Sequence, residues 1–325
     1  MEQLKVKPRT KIGYIAVPVL IYFAISLIVQ SIYQFFLMTK VIMDYMKVSP
    51  ELQELMKNAN TSFSTLMENM NEFLTPEVIM ELTLQLNELT FQHITYIGLI
   101  SGIISIPVLV VYMRKDKKNF LKCGVQLPQK EKLWKYAIIP VAGICLCVAG
   151  NNLIKLSQLS QYSELYEKTS TGLYSASFGI QLVALGIVAP IAEELLFRGV
   201  VFNRLKVSLS VKMAAIWSSL VFAAFHVNLV QFIYALIMGL ALAWIYEQYG
   251  SIKAPILFHI FANITSVVLT QQDIFMWIFE EPLRVGIITV GCATLAAVCY
   301  VVISNITEKP VEEVVTPETT DSQQI

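Results

Sequence analysis

Five polar side chains inside apolar sequence could carry hydrolytic chemistry. Glu193 and Glu194 lie in a long apolar stretch that opens near Gly179, and His226, His259 and Asn263 follow in the next apolar segments. A charge near the centre of a bilayer costs at least ~2.5–3.5 kcal/mol on insertion scales, so intramembrane carboxylates are functional candidates. Two carboxylates, two imidazoles and an amide in such surroundings predict a site that activates water for hydrolysis.

The spacing of the charged residues predicts different roles for the two glutamates. Glu194 and Arg198 are four residues apart, so they share one face of a helix and can form an ion pair. Glu193 is offset by about 100° and faces a different neighbour. We therefore predict that Arg198 neutralises Glu194 in a structural pair, while Glu193 is left for chemistry.

The other candidate residues show the same four-residue spacing on separate helices. His259 and Asn263 are four apart, so an imidazole and an amide project from one face of the seventh apolar segment. Phe222 and His226 repeat this spacing on the fifth segment, which places an aromatic ring beneath the imidazole. The site is therefore predicted between spans four, five and seven.

The composition indicates a polytopic, all-α membrane protein. Of its 325 residues, 55% are hydrophobic and 15% are charged, and the mean hydropathy is +0.60; soluble domains are nearer 45–50% apolar and about 25% charged. Eight spans are predicted at 12–38, 94–113, 136–154, 177–198, 210–226, 229–247, 255–271 and 284–304. The span 210–226 is short for a bilayer, which needs ~20 residues.

The distribution of charge predicts the orientation in the membrane. The basic residues cluster before span one, between spans two and three and after span four, whereas the loops 39–93 and 272–283 are acidic. The positive-inside rule then places both termini in the cytoplasm. The net charge is zero, so nothing global indicates nucleic acid as a partner. With no retention or transit signal, we expect a prokaryotic plasma membrane and a site that opens toward the cytoplasm.

The domain organisation follows from these spans. We predict a basic cytoplasmic N-terminus at 1–11 and an N-terminal transmembrane region at 12–174. That region carries an exoplasmic loop at 39–93, with a helical hairpin at 48–91, and a basic cytoplasmic loop at 114–135. The candidate core is 175–272, the last loop and transmembrane helix are 273–304, and 305–325 is predicted to be a disordered acidic cytoplasmic tail.

Three motifs in this order resemble one known family. Glu193-Glu194-x-x-x-Arg198, Phe222-x-x-x-His226 and His259-x-x-x-Asn263 are similar to the motifs of the CPBP family of intramembrane proteases. That family includes the type II CaaX prenyl endopeptidases and bacteriocin-immunity-like members. The resemblance covers about 175–272, with Gly239 in span six and the approach Gly250 to Pro255 included. Each motif alone is a weak indication of the family, but all three are intact and occur in this order.

The resemblance implies peptide-bond hydrolysis by activated water in a membrane cavity. Glu193 would be the general base, and His226 would help to orient the water. His259 and Asn263 would stabilise the oxyanion. The implied partner is a peptide or a lipidated-protein substrate. Zn²⁺ is an option, since Glu193, His226 and His259 are adequate ligands, and a metal-free mechanism is equally open.

Other interpretations of the same residues stay open. The polar groups could form a purely structural network, or a proton or ion path in a transporter. A family member could also bind a peptide without cleaving it, as an immunity or scaffold protein.

The sequence alone leaves one geometric conflict. Strict alternation of the spans puts His226 near the exoplasmic end of span five, roughly 10–15 Å from Glu193 in depth. We expect an interfacial segment at 199–209 to let span five start inside the membrane, with Asn228–Gln231 tucked into the protein.

Overall fold

A computed structural model describes residues 12–48, 74–122, 130–158, 163–226 and 228–307, and these ranges are helical apart from short connections. The helices are α1 (Ile12–Val48), α2 (Pro76–Gln92), α3 (Ile94–Lys122), α4 (Ile139–Ser157, preceded by a 3₁₀ turn at Leu133–Ile138), α5 (Glu164–Leu173), α6 (Phe178–Lys206), α7 (Val211–Ala224), α8 (Leu229–Tyr249), α9 (Lys253–Gln271), α10 (Ile274–Phe279) and α11 (Pro282–Ile306). The predicted all-α fold is confirmed.

Seven helices in the described part of the chain are long and apolar enough to cross a membrane: α1, α3, α4, α6, α8, α9 and α11. The fourteen-residue α7 is apolar but shorter, as expected for the span at 210–226. The chain is therefore an integral membrane protein. The eight apolar segments have the predicted order, and most of the helices extend beyond the predicted ends.

The main correction concerns the end of the fourth span. The segment 199–209 was expected to be interfacial, but α6 continues to Lys206, and its residues Gly199 to Phe202 are buried. The basic residues that suggested a loop are paired within the fold. Arg204 Nε lies 2.6 Å from Asp116 Oδ2 on α3, and Lys206 Nζ lies 2.5 Å from Glu247 Oε2 on α8. Neutralised in this way, these charges do not end the helix.

Two wide turns interrupt the α-helical geometry of α6. The stretches Ala184–Val188 and Leu195–Phe202 are π-helical and flank Ala189–Glu194. Pro190 lies just after the first of them, where its ring nitrogen has no hydrogen to donate to the preceding turn. Because π turns are rare and concentrate at functional sites, they draw attention to the segment that carries both candidate carboxylates.

Small residues let the helices around α6 approach closely. A Cβ added at Gly186 would lie 2.8 Å from Ile264 Cγ1 on α9, and one at Gly143 would lie 2.6 Å from the Phe258 carbonyl oxygen. Close backbone contact at small residues is a main source of packing energy between helices in lipid. The result is that α9 is held tightly between α4 and α6.

The predicted loops are described only in part. Of the hairpin at 48–91, the segment 49–73 lies outside the described residues, while α2 forms with Thr75 as its N-cap, Thr75 Oγ1 accepting from Val78 N. Residues 114–122 of the predicted basic loop are instead the end of α3. Helix α11 ends at Ile306, and the predicted tail beyond 307 lies outside the described residues.

Candidate active site

The structure brings four of the predicted site residues to one cavity. Glu193 of α6, His226 just after α7, and His259 and Asn263 of α9 line a cavity of about 460 Å³. This volume lies in the range of small-molecule and peptide sites, which is roughly 300–1,000 Å³. The three motifs are therefore one spatial unit, although 23 residues separate the first from the second and 32 separate the second from the third along the chain.

The ion pair of Glu194 and Arg198 anchors this unit. Arg198 Nη1 donates to Glu194 Oε1 at 2.9 Å, and both side chains are fully buried. Arg198 Nη2 donates to the carbonyl oxygen of Gly239 on α8 at 2.9 Å, and the guanidinium carbon lies 4.8 Å from the centre of the Phe222 ring. The pair therefore joins α6 to α7 and α8, as well as neutralising charge within one helix.

His259 lies between the two carboxylates. Its Nδ1 is 2.9 Å from Glu194 Oε1, and its Nε2 is 3.7 Å from Glu193 Oε2. The shorter contact is a hydrogen bond that Nδ1–H donates to the carboxylate, which fixes the ring and leaves Nε2 toward the cavity. The longer contact is beyond hydrogen-bond length. The side chain of Glu193 is 23% exposed, against 0% for Glu194, so Glu193 is the carboxylate that faces the cavity.

The longer α6 removes the conflict in depth at His226. Glu193 lies thirteen residues before the end of α6 at Lys206, or about 20 Å. His226 lies fifteen residues after the start of α7 at Val211, or about 22 Å. The two helices are antiparallel, so both groups reach a similar depth. The Phe222 ring lies between the imidazoles, with its centre 5.0 Å from that of His226 and 6.1 Å from that of His259.

A backbone contact orients the His226 ring as well. Its Nδ1 lies 3.1 Å from the carbonyl oxygen of Phe222, so Nδ1–H donates there and Nε2 keeps its lone pair. The turn that follows is partly buried, as expected. Asn228 and Gln231 are buried and bonded to each other, Asn228 Nδ2 donating to Gln231 Oε1 at 2.9 Å, whereas Leu229 between them is exposed.

Asn263 is held by a carbonyl group that the π turn releases. In the π turn each N–H donates to the carbonyl oxygen five residues earlier, as the Ala189 N–H does to the Ala184 oxygen. The Leu185 oxygen would accordingly accept a hydrogen bond from the nitrogen of residue 190. Residue 190 is proline, which has no hydrogen to donate. Asn263 Nδ2 donates to the Leu185 oxygen instead, at 2.9 Å. One N–H of the amide is used in this way, and the second remains for a ligand.

Sequence reasoning missed the cavity walls that come from other helices. Tyr22, Ser26 and Gln30 of α1, the first turns of α3, and Tyr234 of α8 also line the cavity. The periodicity of Tyr22, Ser26 and Gln30, each four residues after the last, was the available signal in α1. It could not be assigned to the site, since nothing in the sequence shows which neighbour a uniformly apolar helix packs against.

The predicted zinc ligands do not form a metal site in this geometry. In the described part of the chain, no group of three or more His, Cys, Asp or Glu side chains is arranged to hold a metal ion. Zn²⁺ takes nitrogen and oxygen ligands at about 2.0–2.2 Å in a tetrahedral arrangement. Glu193 Oε2 and His259 Nε2 lie 3.7 Å apart, a separation that two ligands of one ion can have, so what is missing among the described residues is a third ligand grouped with them.

Comparison with known proteins finds similarity in the part of the chain that contains the three motifs. The family model for type II CAAX prenyl endopeptidase Rce1-like proteins matches residues 175–265. The Bacillus subtilis (strain 168) protein named "Putative membrane peptidase YdiL" is 22% identical over 199 residues, which cover 60% of this chain and 79% of that protein. No solved structure is significantly similar to this chain. The family resemblance drawn from the motifs is thereby confirmed.

Proposed function

We propose that this chain, which belongs to the CPBP family of intramembrane proteases, hydrolyses a peptide bond of a membrane-associated peptide or protein within the bilayer. The observation that carries the proposal is the meeting of Glu193, His226, His259 and Asn263 at one cavity at a common depth. A carboxylate, two oriented imidazoles and an amide donor are the groups that water-mediated acyl transfer requires.

Glu193 is the general base in this proposal. Its carboxylate faces the cavity and is not consumed by an ion pair, because Arg198 is engaged with Glu194. It accepts a proton from the attacking water and delivers it to the leaving amine. The 3.7 Å between Glu193 Oε2 and His259 Nε2 leaves both atoms accessible to reacting groups.

His259 and Asn263 are the donors for the oxyanion that forms on the scissile carbonyl. With Nδ1–H bound to Glu194, a protonated His259 presents Nε2–H to the cavity, and Asn263 adds the N–H that Leu185 leaves free. Removing one such donor typically lowers kcat by ~10²–10³. His226, whose Nε2 is an acceptor, orients the water from the other side.

The test is cleavage by the purified full-length chain in detergent or lipid nanodiscs, with a broad peptide library that includes prenylated C-terminal peptides. Wild type is expected to cleave, and Glu193→Gln is expected to lose cleavage while keeping its elution volume and thermal unfolding. The matched control is Glu280→Gln, which makes the same chemical change at a side chain that is 68% exposed. This control is expected to cleave like wild type.

Two results would contradict the proposal. Cleavage by Glu193→Gln at the wild-type rate would show that Glu193 is not the base. No cleavage by folded wild type across the library, together with peptide binding, would assign the chain to the non-hydrolytic alternative. The same assay with a metal chelator tests the zinc option. If the chelator abolished cleavage and added Zn²⁺ restored it, the metal ligands would have to assemble in a conformation other than this one.

A further inference from the structure

The cavity occupies one half of the helix bundle. On α3, which runs from Ile94 to Lys122, the lining residues all fall between Ile94 and Gly102. On α9, which ends at Gln271, the lining residues run from His259 to Val267. The cavity therefore extends from the catalytic groups toward the start of α3 and the end of α9.

The remaining helices agree with this direction. On α8 the lining residues lie between Gln231 and Met238, in the first half of Leu229–Tyr249. Above them, Thr169, Leu173 and Tyr174 from α5 and the turn after it line the cavity. Helix α5 has ten residues and is too short to span a bilayer, so it lies across this end of the bundle and covers the cavity.

The charges identify which face of the membrane this end meets. The opposite end of the bundle carries basic residues, with Lys115, Lys117, Lys118 and Lys122 at the end of α3, and Lys130 and Lys132 before α4. At the cavity end, the charged side chains of the described segments are mostly acidic: Glu77, Glu81 and Glu88 before α3, Glu164, Glu167 and Lys168 before α6, and Asp273, Glu280 and Glu281 before α11. By the positive-inside rule, the end of the bundle that α5 covers faces away from the cytoplasm. This placement differs from the cytoplasmic opening that was expected from the sequence.

The described residues of the cavity wall include no lysine or arginine. Glu193 is the acidic residue among them. Lys168, next to the lining residue Thr169, lines a separate surface pocket. A free C-terminal carboxylate bound in this cavity would thus meet Glu193 with no Lys or Arg to compensate it, while the proton that the mechanism places on His259 Nε2 is 3.7 Å from Glu193 and serves the oxyanion. Like charges close together in such a site are costly.

The walls do offer uncharged hydrogen-bonding groups. In the part of the chain that the structure describes, the hydroxyls of Tyr22 and Tyr234 and the amide of Gln30 line the cavity and make no hydrogen bond. A peptide that reaches this depth for cleavage must be unwound, and its backbone N–H and C=O groups then need partners away from water. Neutral donors and acceptors along the wall can supply them.

From these observations we infer that the substrate is an uncharged, extended peptide segment that enters the cavity from the extracytoplasmic face, beneath α5. This inference rests on the proposed function for the cleavage step, and it names the side and the chemical class of the substrate. A cytoplasmic lipidated C-terminus with its free carboxylate in the cavity does not fit it.

The side of entry is tested by cysteine labelling in intact cells, in full-length protein whose five native cysteines are replaced by serine. Glu167→Cys, exposed on α5, and Gln30→Cys, in the cavity, are expected to react with a membrane-impermeant thiol reagent added outside. Lys132→Cys, exposed at the basic end, is expected to react only after permeabilisation. The reverse pattern would overturn the inference. Labelling needs no cleavage, so this result stands whatever becomes of the proposed function.

The chemical class is tested with matched peptides that differ only at the C-terminus, as the free acid or the amide, with the cleaved bond near that end. The amide is expected to be cleaved about tenfold faster or more, in kcat/KM. The same pair is compared for protection of Gln30→Cys from labelling, which reports binding without cleavage. Stronger protection by the amide supports the inference. A requirement for the free acid in either assay would overturn it.

Discussion

His259 Nδ1 lies 2.9 Å from Glu194 Oε1, the same oxygen that accepts a hydrogen bond from Arg198 Nη1. The carboxylate assigned to a structural role is thus also the group that orients the imidazole in the cavity. Stability of α6 and orientation of the site depend on one buried oxygen atom. Substitutions at Glu194 should therefore change both properties, whereas substitutions at Glu193 should change activity alone.

The buried pair predicts a strong coupling between Glu194 and Arg198. Glu194→Gln keeps an acceptor oxygen but leaves the Arg198 guanidinium buried without its counter-charge. Breaking a buried pair from one side costs about 3–5 kcal/mol in unfolding free energy. The double substitution Glu194→Gln with Arg198→Gln removes both charges and should lose much less than the sum of the two single changes. Denaturant unfolding in detergent, carried out as a double-mutant cycle, measures this coupling.

Additive losses in that cycle would contradict the coupling. Cleavage provides the second readout. The double variant should recover stability but not activity, because His259 Nδ1 then faces a neutral amide in place of a carboxylate. If activity returned with stability, Glu194 would be a structural residue only.

Pro190 is predicted to position Asn263. Pro190→Ala would supply an N–H at the residue that faces the Leu185 oxygen in the π pattern, and this N–H would compete with Asn263 Nδ2 for that oxygen. We expect kcat to fall by up to about 10²-fold, as for loss of an oxyanion donor, with little change in KM or in thermal unfolding.

The control for this effect is Asn263→Ala, alone and combined with Pro190→Ala. If both substitutions act through the same amide, the double variant should be no slower than Asn263→Ala. Multiplying losses would show that Pro190 acts elsewhere in α6, and a wild-type kcat in Pro190→Ala would show that the freed carbonyl does not hold Asn263.

The sequence predicted the helical class, the order of the apolar segments and the groups that meet in the cavity, because the motifs place their polar atoms at helical spacing. It failed at the end of α6. Arg204 and Lys206 resemble loop residues, and only the fold shows that Asp116 and Glu247 pair with them. This one error displaced Glu193 in depth relative to His226.

The direction of the cavity was also beyond the sequence. Helix positions along the membrane follow from apolar length, but the side on which a void opens depends on how neighbouring side chains fill the space. At the basic end, Phe197, Val201 and Leu109 pack in one core cluster, while toward the other end Gly98 of α3 lines the cavity and has open space where a Cβ would lie. Contacts of this kind between distant segments have no local signature.

Gly239 is predicted to be required by packing. A Cβ at this position would lie 2.9 Å from Ser219 Cβ on α7, and the Gly239 carbonyl oxygen accepts from Arg198 Nη2. Gly239→Ala should lower the unfolding free energy by about 1–3 kcal/mol, which is the usual cost of overpacking. Ser219→Gly removes the opposing Cβ and should restore part of that loss when combined with Gly239→Ala. No rescue in thermal unfolding would mean that the strain does not come from this contact.

The ion pair of Asp116 and Arg204 is predicted to hold α1 against α3 and α6. Arg204 Nε lies 2.6 Å from Asp116 Oδ2, Tyr14 Oη donates to Asp116 Oδ1 at 2.6 Å, and Arg204 Nη1 also donates to the Tyr14 carbonyl oxygen. Because the carboxylate is buried and serves two helices, Asp116→Asn should destabilise the fold by about 3–5 kcal/mol. Asp44→Asn is the matched control, since its pair with Lys47 is solvent-exposed and such pairs contribute about 0–1 kcal/mol. Equal effects of the two substitutions on denaturant unfolding would show that burial of the Asp116 pair contributes nothing, and that α1 is held by apolar contacts alone.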